Sequence, residues 1–146
     1  MTTVSYLEQL LDFTDKGTIY MLEAEKWHEM ATNVSVSYDK EPVKSSGNKQ
    51  RMENAVVNAV YYEQKARERM EKYFNERDKI IEQIVEMPGD PDCKTILYKQ
   101  YVERKTLVNI ADEIGYCDSH TRRKQRKALK TFEKAYGNTY LKTNEQ

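Results

Sequence analysis

Apolar or small residues recur at Tyr6, Leu10, Phe13, Gly17, Tyr20, Ala24, Trp27 and Ala31, in alternating steps of four and three. That spacing is one face of an α-helix. It returns at Met52, Val56, Ala59, Glu63, Ala66, Met70, Tyr73, Arg77, Ile80 and Ile84. The second run covers roughly 35 residues, or about 50 Å if unbroken at 1.5 Å per residue. A helix of that length cannot bury a face against itself, so it must pack on the first helix, on another subunit, or on both. The expected arrangement is an antiparallel, coiled-coil-like hairpin of the two helices, extended into a dimer. Glu63 and Arg77 interrupt the second stripe, either pairing across an interface or marking its edge. Gly17 weakens the first helix by about 1 kcal/mol relative to Ala, and so marks Asp15–Thr18 as the place where it would break or bend. A cofactor site built on the aromatics of the first stripe is the weaker reading, because such stripes pack cores.

Punctuation along the chain is sparse. Five Gly and three Pro in 146 residues signal few turns, which suits long helices joined by few loops. With 38% hydrophobic and 33% charged residues, an extended helical protein with modest cores fits better than a large globular enzyme. Residues 32–50, TNVSVSYDKEPVKSSGNKQ, lose the helical period and collect Pro, Gly, Ser and Asn, which predicts a loop or linker. Pro88-Gly89-Asp90-Pro91 ends the second helix, and Asp90 and Pro91 suit the N-cap and first position of the next. The domain boundary is expected there: residues 1–88 form the hairpin, with dimerisation and the loop 32–50, and residues 89–146 form a second domain. Cys93, Ile96, Leu97 and Tyr101 then predict a short amphipathic helix ending near Glu103-Arg104-Lys105.

The stretch from Thr106 to Phe132 carries the functional signal. Thr106 suits an N-cap, although Asn109 stands where a capping-box Glu would be ideal. Leu107, Ile110, Ala111 and Ile114 form one apolar face, and Ala111 is small where two helices must approach closely. Gly115 can adopt positive φ at little cost for a sharp turn. Tyr116 would fill the groove under that turn, and Asp118 or Ser119 would cap the next helix. That helix holds Arg122, Arg123, Lys124, Arg126, Lys127, Lys130 and Lys134, against the single acid Glu133 between Ser119 and Tyr136. Ala128, Leu129, Phe132 and Tyr136 form its inward face.

This is the layout of a helix-turn-helix whose second helix enters the major groove of double-stranded DNA. Ser119, His120, Arg122, Arg123 and Arg126 are the candidates for groove contact, since arginine bonds guanine bidentately and Ser and His read bases less selectively. Lys127 and Lys130, with Lys134, are placed for phosphates. Net charge agrees. The chain totals zero, but residues 91–146 carry 12 basic and 7 acidic side chains, a net of +5, and residues 1–90 a net of −5. Such opposite halves suggest two parts with different partners.

Other function classes find little support. No apolar run approaches the ~20 residues that span a bilayer, and the N-terminus lacks the charged start and apolar core of a signal peptide. A cytoplasmic protein without membrane contact is expected, with Cys93 and Cys117 as reduced thiols. Two cysteines and two histidines, widely spaced, make no zinc pattern. Neither a phosphate loop, a nucleophile elbow nor HExxH occurs, so no catalytic, cofactor or metal residue is expected, and no enzyme. His28 near Glu25 and Glu29 reads as a surface cluster. Asp112 and Glu113 are adjacent on a helix and point apart, which makes them poor acid/base partners.

Residues 95–132, TILYKQYVERKTLVNIADEIGYCDSHTRRKQRKALKTF, resemble region 4 of sigma factors. The likeness extends to small phage-encoded regulators with a sigma-region-4-like tail, the RinA/ArpU-type late-gene activators. The ending Lys127-Ala128-Leu129-Lys130-Thr131-Phe132 looks ArpU-like, and residues 31–56 resemble the loop and second helix of a related phage family. The resemblance implies an all-α protein that activates late or packaging genes of a phage or prophage in the bacterial host cell. It implies DNA contact at Ser119, His120, Arg122, Arg123 and Arg126. The alternative it leaves open is a sigma-like adaptor that binds RNA polymerase or another protein instead of DNA. A homodimer or higher homo-oligomer is expected, because two half-sites need two recognition helices. Two positions depart from the pattern. Thr121 replaces the usual Ile or Val, and Lys124 stands where an apolar residue is common, so the recognition helix is expected to be tilted or loosely packed.

Overall fold

The computed structural model describes residues 1–36 and 45–141. Helix is the main secondary structure there, and there is no strand among the described residues, so the expected all-α class holds. The elements are α1 (Thr3–Val36), α2 (Ser45–Glu86), α3 (Pro91–Leu97), α4 (Leu107–Ile114) and α5 (Asp118–Tyr140), with a π-helical extension of α3 over Tyr98–Val102. Helix reaches Val36 and resumes at Ser45, so the loop expected over 32–50 is shorter at both ends. Its middle, residues 37–44, lies outside the described residues. Periodicity reports an apolar face, not helicity, so a helix end without such a face reads as loop.

Packing divides the chain into residues 1–12 with 73–146 and residues 13–72. The division does not fall at Pro88–Pro91. Helices as short as α3 and α4 cannot close a core alone, and the outer ends of α1 and α2 supply the rest of it.

In the first unit, Tyr6, Leu7 and Leu10 of α1 meet Ile80, Ile84 and Met87 of the α2 end, Cys93 and Leu97 of α3, Tyr101, and Ala128, Phe132 and Tyr140 of α5. The Tyr6 and Tyr140 rings stack with centroids 4.4 Å apart, and Phe132 lies 6.1 Å from Tyr6. Polar tips in this apolar setting are satisfied. The Tyr6 hydroxyl donates to Gln83 Oε1 at 2.8 Å, and the Thr3 and Tyr140 hydroxyls bond at 2.8 Å. Burial pushes the Tyr6 and Tyr140 phenols above their ordinary range.

Helix α3 starts as its sequence predicts. Asp90 caps it by accepting from the Asp92 N–H at 3.0 Å, and Pro91 takes the first turn. At its far end the helix widens, with the Glu103 N–H bonded to the Tyr98 carbonyl at 3.1 Å. Arg104 then turns left-handed at φ 59, and the Lys105 N–H closes on the Lys99 carbonyl at 2.9 Å. Those bonds stop α3 abruptly and aim the chain into α4.

In the second unit, α1 and α2 run antiparallel. Gly17 lies against Arg69 and Met70, and further along α1 the His28 Nε2 meets Glu63 Oε1 at 2.5 Å. Among the described residues, the fully buried ones here are Gly17, Ala24, Ala55, Ala59 and Ala66. Small side chains let the helices approach closely, and Phe13, Tyr20, Trp27, Tyr62 and Met70 flank the seam half-buried. Helix α1 passes through Gly17 without the expected break. A Cβ at Gly17 would stand 3.6 Å from Arg69 Cβ, an ordinary contact, so the seam has room for alanine there. Of the expected α2 stripe, Val56 points outward and Ala55 replaces it in the seam. Glu63 marks the edge, paired with His28.

Candidate nucleic-acid interface

Thr106 is extended (φ −72, ψ 155), and its hydroxyl accepts from the Asn109 N–H at 3.3 Å, the cap its sequence predicts. Ile110 and Ala111 turn into the core. Gly115 closes α4 at φ 78, ψ 24, with its N–H and that of Tyr116 both on the Ala111 carbonyl, at 3.0 and 3.2 Å. A Cβ at Gly115 would meet nothing within 4 Å, so the demand for glycine is one of backbone alone. Helix α5 begins differently from expectation. The N-cap position is Cys117, without a side-chain hydrogen bond, and neither Asp118 nor Ser119 caps. Asp118 instead lies in the first turn, where its charge suits the positive helix end.

Two faces of α5 are sharply unlike. Thr121, Ala128 and Phe132 are buried. Ser119, Arg122, Arg123, Arg126, Lys127 and Lys130 are exposed, as is Lys134, and their three-and-four spacing puts them on the opposite side. Six of the seven expected contact residues therefore share one outward face. His120 lies beside it, half-buried at the turn, its ring edge-on to Tyr116 with centroids 4.6 Å apart.

Thr121 and Lys124, the two positions expected to loosen α5, each have a partner. Thr121 is fully buried, and its hydroxyl donates to the Cys117 carbonyl at 3.0 Å. With its only polar atom satisfied within the first turn, threonine takes the place of a similarly shaped valine. Lys124 is half-buried and reaches back to the start of α3. Its ammonium is paired with the Asp90 carboxylate and lies 3.7 Å from Asp92 Oδ2. Tyr116 completes the tie: its hydroxyl donates to Asp92 Oδ2 at 2.7 Å, and its ring centroid is 5.8 Å from the Lys124 ammonium. The Cys93 thiol, buried below, donates to the Lys124 carbonyl at 3.6 Å. The pattern offered no sign of this tie, because its partners are 34 residues apart.

The Lys124 hydrogen bond, then the Asp92 N–H, holds the Asp90 carboxyl below its ordinary range, and Asp90 in turn raises the Lys124 ammonium. A depressed carboxylate contributes stability above its unfolded pKa and loses it as pH falls through the folded one. A raised lysine contributes below its unfolded pKa and loses it as pH rises through the folded one. The tie thus holds across neutral pH, loosening in acid below about pH 4 and in alkali above about pH 10.

The other lysines of this unit near α4 are also neutralised internally. Lys99 and Lys105 each stand 2.6 Å from a Glu113 oxygen, and Lys105 lies 3.0 Å from Glu103. Hydrogen bonds from Lys105, then Lys99, hold the Glu113 carboxyl low. The outer face of α5 is different. Among the described residues, Arg122, Arg123, Arg126, Lys127, Lys130 and Lys134 enter no ion pair. Six exposed cations of α5 thus stand outside any ion pair among the described residues, with the exposed Glu133 as the acid among them.

No protein-family model, curated protein or solved structure matches this chain. Among the described residues, no helix is long and apolar enough to cross a membrane.

Proposed function

We propose that the protein is a sequence-specific DNA-binding transcriptional regulator, and that α4, the Gly115 turn and α5 work as a sigma-region-4-like helix-turn-helix. The observation that carries this reading is the basic face of α5, whose six exposed cations enter no ion pair among the described residues while Lys124 on the inner side is tied to Asp90. On the exposed side of α5, six cations stand against the single acid Glu133 between Ser119 and Tyr136. In this reading Ser119, Arg122, Arg123 and Arg126, in the first turns of α5, reach base edges in the major groove. Lys127, Lys130 and Lys134 lie along the phosphates. His120, half-buried against Tyr116, supports the turn and contacts DNA at the edge of the footprint. The resemblance to phage activators makes late or packaging genes the target, in the bacterial cytoplasm.

The test is a binding titration of the full chain against fragments of the source genome at several salt concentrations. Affinity is expected to fall steeply with salt through counterion release. Arg123→Ala is expected to cost about 1–3 kcal/mol on the preferred fragment and less on random DNA if it reads a base. Equal loss on both would make Arg123 a phosphate contact. No binding even at low salt would overturn the reading and favour a sigma-like adaptor that binds RNA polymerase or another protein.

A further inference from the structure

We propose that Tyr116 is a positioning residue for His120, and that His120, held by it, makes a sequence-discriminating contact with DNA at the start of α5. The proposal rests on the DNA reading above and deepens it.

Tyr116 follows the turn glycine and is exposed, yet it is held at three points. Its backbone N–H bonds to the Ala111 carbonyl at 3.2 Å, its hydroxyl donates to Asp92 Oδ2 at 2.7 Å, and the Lys124 ammonium stands 5.8 Å from its ring centroid. The acceptor is itself anchored. Asp92 lies in the first turn of α3, directly behind the Asp90 cap, and the Lys124 ammonium is 3.7 Å from the same Oδ2. Tyr116 is not part of the apolar core, so packing alone does not call for so many holds on its ring. Against that ring rests His120, with centroids 4.6 Å apart and 64° between the planes.

His120 differs in this from the other groove candidates. Ser119, Arg122, Arg123 and Arg126 are exposed, and among the described residues none of their side chains has a hydrogen bond, ion pair or ring contact. A free arginine gives up rotamer entropy when it docks, whereas a ring already fixed does not. One imidazole nitrogen donates and the other accepts, so a ring held in one orientation selects a base edge of matching pattern. A wrong base leaves such a group unbonded, and its rigidity keeps it from turning to another acceptor. The arginines supply attraction along the groove, and the fixed histidine supplies discrimination.

Competition titrations of the full chain on its preferred fragment and on random DNA test the proposal, each variant being read as the ratio of the two affinities. Tyr116→Phe removes one oxygen and no charge, so affinity for random DNA is expected to stay at the wild-type value. Its ratio is expected to fall roughly five- to tenfold, the lower end of what one mismatched base pair costs. His120→Ala is expected to lower the ratio at least as much, and adding Tyr116→Phe to it is expected to cost nothing further. Asp92→Ala is expected to match Tyr116→Phe, whereas Asp92→Asn, which keeps an oxygen for the hydroxyl, is expected to retain most of the ratio. A role in stability alone would lower the melting temperature and leave every ratio at the wild-type value, which would overturn the proposal. So would a full Tyr116→Phe loss in the His120→Ala background, because the hydroxyl would then act through another group. Without DNA, NMR is expected to find the His120 ring protons displaced from free-histidine values by the Tyr116 ring, and displaced less in Asp92→Ala. Free-histidine values in the wild-type chain would overturn the proposal whether or not DNA binds. A wild-type chain that binds no DNA, with His120 displaced as expected, would overturn the DNA reading, and the proposed contact with it.

Discussion

The two units obey the same three-and-four spacing and bury different things with it. The first closes around Phe132, Leu7, Leu10, Ile80, Met87, Ile96, Leu97 and Ile110, all essentially inaccessible. Among its described residues, the second buries glycine and alanine, with aromatic residues at the margins. Helical periodicity names a face and says nothing of how deep that face will lie. Depth comes from how many elements converge. Parts of α1, α2, α3 and α5 meet in the core of the first unit, with α4 packed against α5, and among the described residues only two helices meet in the second. The consequence for function is a division of labour: a rigid mount for the basic face of α5, and a slender pair with apolar surface to spare.

The largest expected effect lies in the first unit. Phe132→Ala is expected to cost about 3–5 kcal/mol, through lost burial and the cavity left among Tyr6, Tyr136 and Tyr140. Tyr20→Ala in the second unit, where the ring is half-exposed, is expected to cost less than half of that. Urea denaturation of both variants measures the difference. Equal losses would erase the contrast in depth on which the comparison stands.

Much of this was legible beforehand, and the misses have physical causes. The α1 stripe was read correctly from Tyr6 to Ala31, because one face of a lone amphipathic helix repeats faithfully. Ala55 was missed in favour of Val56, because a 3.6-residue repeat fixes a face only to within a residue and hydrophobicity then misleads. In the candidate interface, the Thr106 cap and the Gly115 turn are local and could be read from neighbours a few residues away. The Asp90–Lys124 pair could not, since its partners are far apart in the chain. Nor could the division of the chain, because Pro88–Pro91 marks a bend in the backbone without interrupting the core that surrounds it.

A smaller effect is expected where the turn meets the mount. Gly115→Ala is expected to destabilise by about 1–2 kcal/mol, the cost of holding a Cβ residue left-handed. Since no atom lies within 4 Å of the new methyl, a backbone penalty is the only one available, and Gly115→Asn should recover part of it. Thermal unfolding separates the three chains. A loss well above that range would mean the turn carries packing as well as geometry, and the first unit would be tighter at its edge than its exposure suggests.

The smallest effect has the opposite sign and belongs to the second unit. Glycine in the middle of a helix costs about 0.5–1 kcal/mol relative to alanine through the entropy of the unfolded chain. At Gly17 the added methyl would stand 3.6 Å from Arg69 Cβ and 3.8 Å from Met70 Sδ, both ordinary contacts. Gly17→Ala is therefore expected to raise stability by roughly 0.5–1 kcal/mol, whereas Gly17→Leu would have to push α2 away and should lower it. Melting temperatures of the two variants decide the matter. If alanine destabilises as leucine does, the seam has no slack, the pair is packed as tightly as the first unit, and the difference between the two units is one of residue size alone.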